Sequence, residues 1–199
     1  MDMKKPAKVA SVLLFIGIAA GATLGIFAFA VFPLPPGQLP SMRLPLDDFS
    51  TFVRFNSFNS TGHNGLDFNV NASTPIVAPC DVFVFDVKCW YNDRGGHWQT
   101  NVRASLSFTW TMEIAFESWA TDEPTARLQE QAIAARAWTR VAAGAPLGTL
   151  LYEGDGAHIH FMIKENDAAT CPFPYFTPAA QASLSAALAA IGHTVPVCS

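Results

Sequence analysis

Gly156-Ala157-His158-Ile159-His160-Phe161-Met162-Ile163 sets two imidazoles two residues apart inside an apolar run. The run reads as a strand, because branched and aromatic side chains pack well on a pleated surface. Side chains alternate along a strand, so Ile159, Phe161 and Ile163 face a core while His158 and His160 share the other face, their Cβ atoms roughly 6–7 Å apart. Two imidazoles at that spacing can serve one site. Alone, the pattern is equally that of a strand with a polar outer face.

Far upstream, Gly62-His63-Asn64-Gly65-Leu66-Asp67-Phe68-Asn69-Val70 offers a second constellation. His63 and Asp67 are four residues apart, a spacing that a helix would also bring together. Asn64-Gly65 is a turn dipeptide, however, and Leu66, Phe68 and Val70 alternate with Asp67 and Asn69, which reads as a turn followed by a strand. A histidine from the turn, an aspartate from this strand and a histidine from the later one make a set of two nitrogens and one oxygen. Such a set suits Zn²⁺ and leaves a fourth tetrahedral position open.

Taken together, His63-x3-Asp67 followed by His158-x-His160-Phe161 resembles the lysostaphin/LytM-type zinc metalloendopeptidases, metallopeptidase family twenty-three. Two flanking stretches agree: Ser73-Thr74-Pro75-Ile76-Val77-Ala78-Pro79 after the aspartate, and the Gly-turn Val141-Ala142-Ala143-Gly144-Ala145-Pro146-Leu147-Gly148 before the paired histidines. The resemblance spans roughly residues 60–165. It implies a mainly β fold, an antiparallel two-sheet core of the duplicated hybrid kind. It also implies Zn²⁺ held by His63, Asp67 and His160, with His158 as the catalytic general base, and peptidoglycan peptides as substrate. The function implied is metal-assisted hydrolysis of peptide bonds.

One departure matters. Members of that family usually carry a further histidine in a Tyr-x-His-Leu segment ahead of the Gly-turn, and residues 110–145 contain none. Loss of such a donor costs roughly 10²–10³ in rate, by analogy with oxyanion donors. His97, in Gly95-Gly96-His97-Trp98, is the other upstream candidate, either as a substitute donor or as a surface-turn residue. Glu117, Trp119 and Tyr152 are candidates for a substrate groove or for ordinary packing. The departure keeps a second function open: a non-hydrolytic envelope protein that binds peptidoglycan or regulates a cell-wall hydrolase.

The chain has 199 residues, half of them hydrophobic, and a formal net charge of -4. That is enough for one good core. Positive charge is concentrated at Lys4, Lys5 and Lys8, so no nucleic-acid partner is expected. An uncharged run from Val9 to Phe32 follows, long enough at about 1.5 Å per residue to cross a bilayer. With lysines preceding it, the run predicts a single pass through the cell inner membrane, the domain lying on the periplasmic side. The alternative is secretion after signal cleavage at Ala28-Phe29-Ala30. Four units follow: 1–32 anchor or signal, 33–47 Pro-rich linker, 48–177 metallopeptidase-like β domain, and 178–199 helical appendage.

Within the domain, strand patterns run through Phe52–Phe55, Leu66–Val70, Val82–Val87, Val102–Phe108 and Trp110–Phe116, with a turn over Tyr91–Gly96. Asp122-Glu123-Pro124 opens a helix expected over Thr125–Trp138, and a second helix is expected from Pro178 to Ile191. Cys80, Cys89, Cys171 and Cys198 form an even set, which an exported domain can oxidise. Cys80 and Cys89 on one extended strand lie too far apart to bond, whereas Cys171 and Cys198 bracket the C-terminal appendage.

Overall fold

The computed structural model describes residues 32–35 and 37–199. The apolar run expected to cross or leave the membrane lies outside them, except for Phe32. Among the described residues no helix is long and apolar enough to cross a membrane. The strands are β1 (Phe52–Asn56), β2 (Leu66–Val70), β3 (Thr74–Val77), β4 (Val82–Asn92), β5 (His97–Ser105), β6 (Trp110–Glu117), β7 (Thr139–Val141), β8 (Pro146–Leu150), β9 (His158–Glu165) and β10 (Ala168–Thr170). The helices are α1 (Glu123–Gln131) and α2 (Pro178–Ala190).

One sheet runs in the order β1-β2-β9-β6-β5-β4-β7, with β10 joining β9 to make eight strands. Its neighbours are antiparallel throughout. β3 and β8 form a second, two-stranded antiparallel sheet. The expected mainly β, antiparallel architecture with two helices is therefore present. Strand alternation separates core from site: Met112, Ile114 and Phe116 of β6 and Ile159, Phe161 and Ile163 of β9 are all buried in the hydrophobic core. Each such side chain contributes about 1.5–3 kcal/mol by leaving water. Glu113, Glu117, His158 and His160 alternate with them and take the other face. The core also takes in Ile76, Leu147 and Leu150 from the small sheet and Leu184 and Leu188 from α2.

Three expectations are corrected. The first helix starts on its predicted cap, Asp122 accepting from the Thr125 amide at 2.9 Å, but it ends at Gln131 and not at Trp138. Strand β8 captures the chain beyond it: Ala134 and Ala135 donate to Leu147 O, Thr149 donates to Ala132 O, and Ile133 is buried. Tertiary pairing overrides helix propensity there. Second, residues 33–47 are not a free spacer. Met42, Leu44 and Leu46 are core residues, and Leu34 donates to Leu106 O. Third, the hairpin turn is tighter than Tyr91–Gly96, because β4 runs on to Asn92. The Asn92 side chain accepts from the Arg94 and Gly95 amides and Gly96 supplies the positive φ of 70°, so β5 begins at His97.

Cys171 and Cys198 are joined, 27 residues apart, while Cys80 and Cys89 are free thiols. Closing a loop of that size in the unfolded chain is worth about 3–4 kcal/mol. Replacing Cys171 and Cys198 together by serine should lower stability by that amount in urea unfolding, while replacing Cys80 and Cys89 should leave the bridge intact by mass spectrometry.

Candidate metal centre

β2 and β9 are neighbours, and their register sets Asp67 opposite His160 and Asn69 opposite His158. His63 reaches the same point from the loop before β2, where its backbone exchanges two hydrogen bonds with Asn59. His160 Nδ1 lies 2.7 Å from Asp67 Oδ1, and His63 Nε2 lies 3.0 Å from Asp67 Oδ2. One ligand atom from each of the three residues falls within 4.8 Å of the others. The structure thus brings together the three residues selected from sequence.

The outer nitrogens of both rings are also occupied. His63 Nδ1 lies 2.8 Å from the Ser57 carbonyl and His160 Nε2 3.1 Å from Asn64 Oδ1. Both partners are acceptors, so those nitrogens carry the ring proton in the neutral tautomer. The inner nitrogens, His63 Nε2 and His160 Nδ1, then turn lone pairs toward the carboxylate. Lone pair facing carboxylate needs a cation between them, either a second proton on each ring or a metal ion. Donor type, tautomers and convergence all fit a metal such as zinc. Gly65 lets the His160 ring lie where it does: a Cβ there would stand 2.6 Å from the ring and 2.8 Å from the Phe161 carbonyl.

Burial pushes the Asp67 carboxyl up, but hydrogen bonds from His160 and His63 and the nearby His158 outweigh it and hold it far below the ordinary carboxylate range. Asn56 adds a further donor, 2.8 Å from Oδ2. The bond to Asp67 raises His63 above the ordinary histidine value, burial opposing.

His158 lies outside this three-residue cluster. Its Nδ1 donates to the Gly156 carbonyl at 2.7 Å, so the neutral ring presents a lone pair at Nε2, 3.8 Å from Asp67 Oδ1 and 3.6 Å from Glu117 Oε2. His97 is not a surface-turn residue. It is 2% exposed, its Nε2 is 2.6 Å from Glu117 Oε2, and its ring stacks on Trp119 with centroids 4.1 Å apart. Glu117 raises its pKa, with burial opposing. Glu117 lines a groove of about 610 Å³ beside the cluster, together with Asn64, His160, Asn101, Glu113 and Trp90. Tyr152, the other groove candidate, bonds Asp155. His193, beyond α2, lies 3.2 Å from Ser57 Oγ.

Among solved structures, this chain is similar to an M23 peptidase candidate from Pseudomonas aeruginosa, at 22% identity and a TM-score of 0.50, over 78% of this chain and 60% of that one. The fold is that of the M23 peptidases. The chain is also similar to Helicobacter pylori Csd3, at 19% identity and a TM-score of 0.50, over 69% of this chain and 33% of that one. The chain spans about three fifths of the first protein and one third of the second. No protein-family model matches the sequence, and no curated protein matches it. The M23 likeness thus rests on shape, and the residues of this chain must carry the functional argument.

Gly65→Ala should displace His160 and weaken zinc uptake by about 10–100-fold with the ligands intact, the range seen when groups supporting a metal ligand are disturbed; competition with a chromogenic chelator measures it. In metal-free protein, His63 and His97 have raised folded pKa values. The stability they contribute is full below about pH 6.5 and is lost as pH rises through those values. Asp67 is depressed, so its contribution is present above about pH 4 and lost only in strong acid. Calorimetry of metal-free protein should therefore show a lower Tm at pH 8 than at pH 6. Zinc affinity should rise over the same interval as the ligands shed protons.

Proposed function

We propose that this protein is a zinc-dependent peptidase of the cell envelope that hydrolyses peptide bonds in peptidoglycan, with His63, Asp67 and His160 holding the metal and His158 as general base. The observation that carries the reading is the convergence of His63 Nε2 and His160 Nδ1 on a buried carboxylate, with both outer nitrogens already bonded. Zinc, when bound, supplies a Lewis acid for the scissile carbonyl and lowers the pKa of a water toward neutrality. His158 receives a proton at Nε2, since its Nδ1–H is fixed on Gly156 O. The adjoining groove accommodates an extended chain.

Peptidoglycan as substrate is supported by the M23 fold together with signs of export. The lysines followed by an apolar run direct the domain across the inner membrane, either anchored by one pass or released by cleavage. The Cys171–Cys198 bridge suits the oxidising side. A second reading, a non-hydrolytic protein that binds peptidoglycan or regulates a cell-wall hydrolase, is favoured by the absence of histidine from residues 110–145.

The purified domain should bind one zinc by elemental analysis, and Asp67→Ala and His160→Ala should lose it. His158→Ala should keep the zinc while release of new amino termini from peptidoglycan falls by about 10²–10⁴-fold. Equal zinc loss in His158→Ala and His160→Ala would make His158 a ligand. Zinc-loaded protein that releases no amino termini from several cross-bridge chemistries would decide for the non-hydrolytic reading.

A further inference from the structure

The proposed metal set and His158 leave the Glu117 carboxylate, which directly faces them, unused. It is held from three directions. Strand register sets Glu117 directly opposite His158 on the site face. His97, itself buried, stands 2.6 Å from Oε2. Trp119 stacks on the His97 ring at 4.1 Å and is itself confined: its φ is 71°, a conformation bulky residues seldom adopt, and a Cβ on Gly156 would come within 2.3 Å of its indole. A carboxylate that served only to pair His97 has no need to face the site. This one stands 3.6 Å from His158 Nε2 and lines the groove.

The chemistry of that contact is incomplete as it stands. With Nδ1–H on Gly156 O, His158 Nε2 is an acceptor, and so is Glu117 Oε2. Two acceptors 3.6 Å apart cannot bond each other while the ring is neutral, but both can be met by one donor seated beside them with two protons to give. Water is such a donor. Oε2 has a second lone pair available after His97 takes the first.

We propose that Glu117 is a further catalytic residue that orients the attacking water jointly with His158, and that His97 is the positioning residue that holds Glu117 in place. The proposal rests on the hydrolase reading. The water oxygen bonds to the carbonyl carbon as the carbonyl π pair moves onto the carbonyl oxygen, to return when the amine leaves, while one of the water protons passes to His158 Nε2. The other proton stays on the water oxygen, hydrogen-bonded to Glu117 Oε2. The carbon–nitrogen bond then breaks, the amine nitrogen takes the proton back from His158, and the retained proton leaves with the new carboxyl group.

The test begins with wild-type protein loaded with zinc. Absence of zinc or of peptide hydrolysis there overturns the hydrolase reading itself, and this proposal with it. Given hydrolysis, Glu117→Gln preserves shape but leaves one uncharged oxygen where the charged Oε2 served both His97 and the water, so the water loses its charged acceptor. The expected result is a fall in kcat of about 10²-fold, the cost of a misplaced reactant, with KM and zinc stoichiometry unchanged. His97→Gln should also lower kcat, and the double variant should be no slower than Glu117→Gln alone, since His97 acts through Glu117. A crystal structure of the zinc-loaded wild type should show a water within hydrogen-bond reach of both His158 Nε2 and Glu117 Oε2. Wild-type kcat in Glu117→Gln, fully additive losses, or a loaded site without that water would each overturn the assignment while leaving the hydrolase reading standing.

Discussion

A buried carboxylate between two imidazoles is the constraint on which this site depends. Asp67 is 5% exposed, and an ionised carboxylate at that depth is tolerable only where cationic or hydrogen-bonding partners surround it. His63, His160 and the Asn56 amide supply them. The arrangement is made by backbone pairing, because β2 and β9 bring Asp67 and His160 opposite each other across one antiparallel ladder. A slip of one residue would turn Asp67 into the core and Phe68 out of it. Core packing and site geometry therefore enforce the same register.

The same alternation joins the centre to its surroundings. β6 buries Met112, Ile114 and Phe116 and thereby turns Glu113, Ala115 and Glu117 outward, beside the histidines of β9. β5 continues the pattern with Gln99 and Asn101, whose amides run in a hydrogen-bonded chain from Asn92 through Gln99 to Asn101 and on to Glu113. Trp90 donates into that chain at Asn101. The groove floor is thus a chain of mutually bonded amides laid on a hydrophobic sheet, held rigid from both sides.

The local part of this was legible in the sequence. The alternation of Ile159, Phe161 and Ile163 with His158 and His160 needed only a period of two, and Asn64-Gly65 marked the turn that frees His63 from β2. That His63, Asp67 and His160 meet depends on β9 lying beside β2, a long-range pairing no local pattern contains; the family resemblance supplied it. The helix ends earlier than local propensity predicts, because Ala132–Ala135 favour a helix by themselves and their competing partner, β8, lies farther along the chain. Likewise Met42, Leu44 and Leu46 alternate as a core-facing segment does, yet the prolines around them signalled a spacer. For His97 the Gly-Gly turn drew attention away from the polar alternation His97, Gln99, Asn101, which places it on the site face.

Of the three candidate ligands His63 alone lies outside the long strands, so its position needs support that strand pairing does not give. The C-terminal tail provides it. Phe58 donates to Val197 O, while Ser199 donates to Phe58 O and Ser60 to Ser199 O, so the loop preceding His63 is paired with the last residues of the chain. His193 reaches Ser57 Oγ, and the Ser57 carbonyl in turn fixes His63 Nδ1. The tail is itself tied to the end of β10 through Cys171–Cys198. A flexible terminus would lose too much entropy on ordering to hold a loop by four or so backbone and side-chain bonds, each worth about 1 kcal/mol. The disulfide removes much of that freedom beforehand, and through it the ring orientation of His63 depends on covalent chemistry at the far end of the sequence.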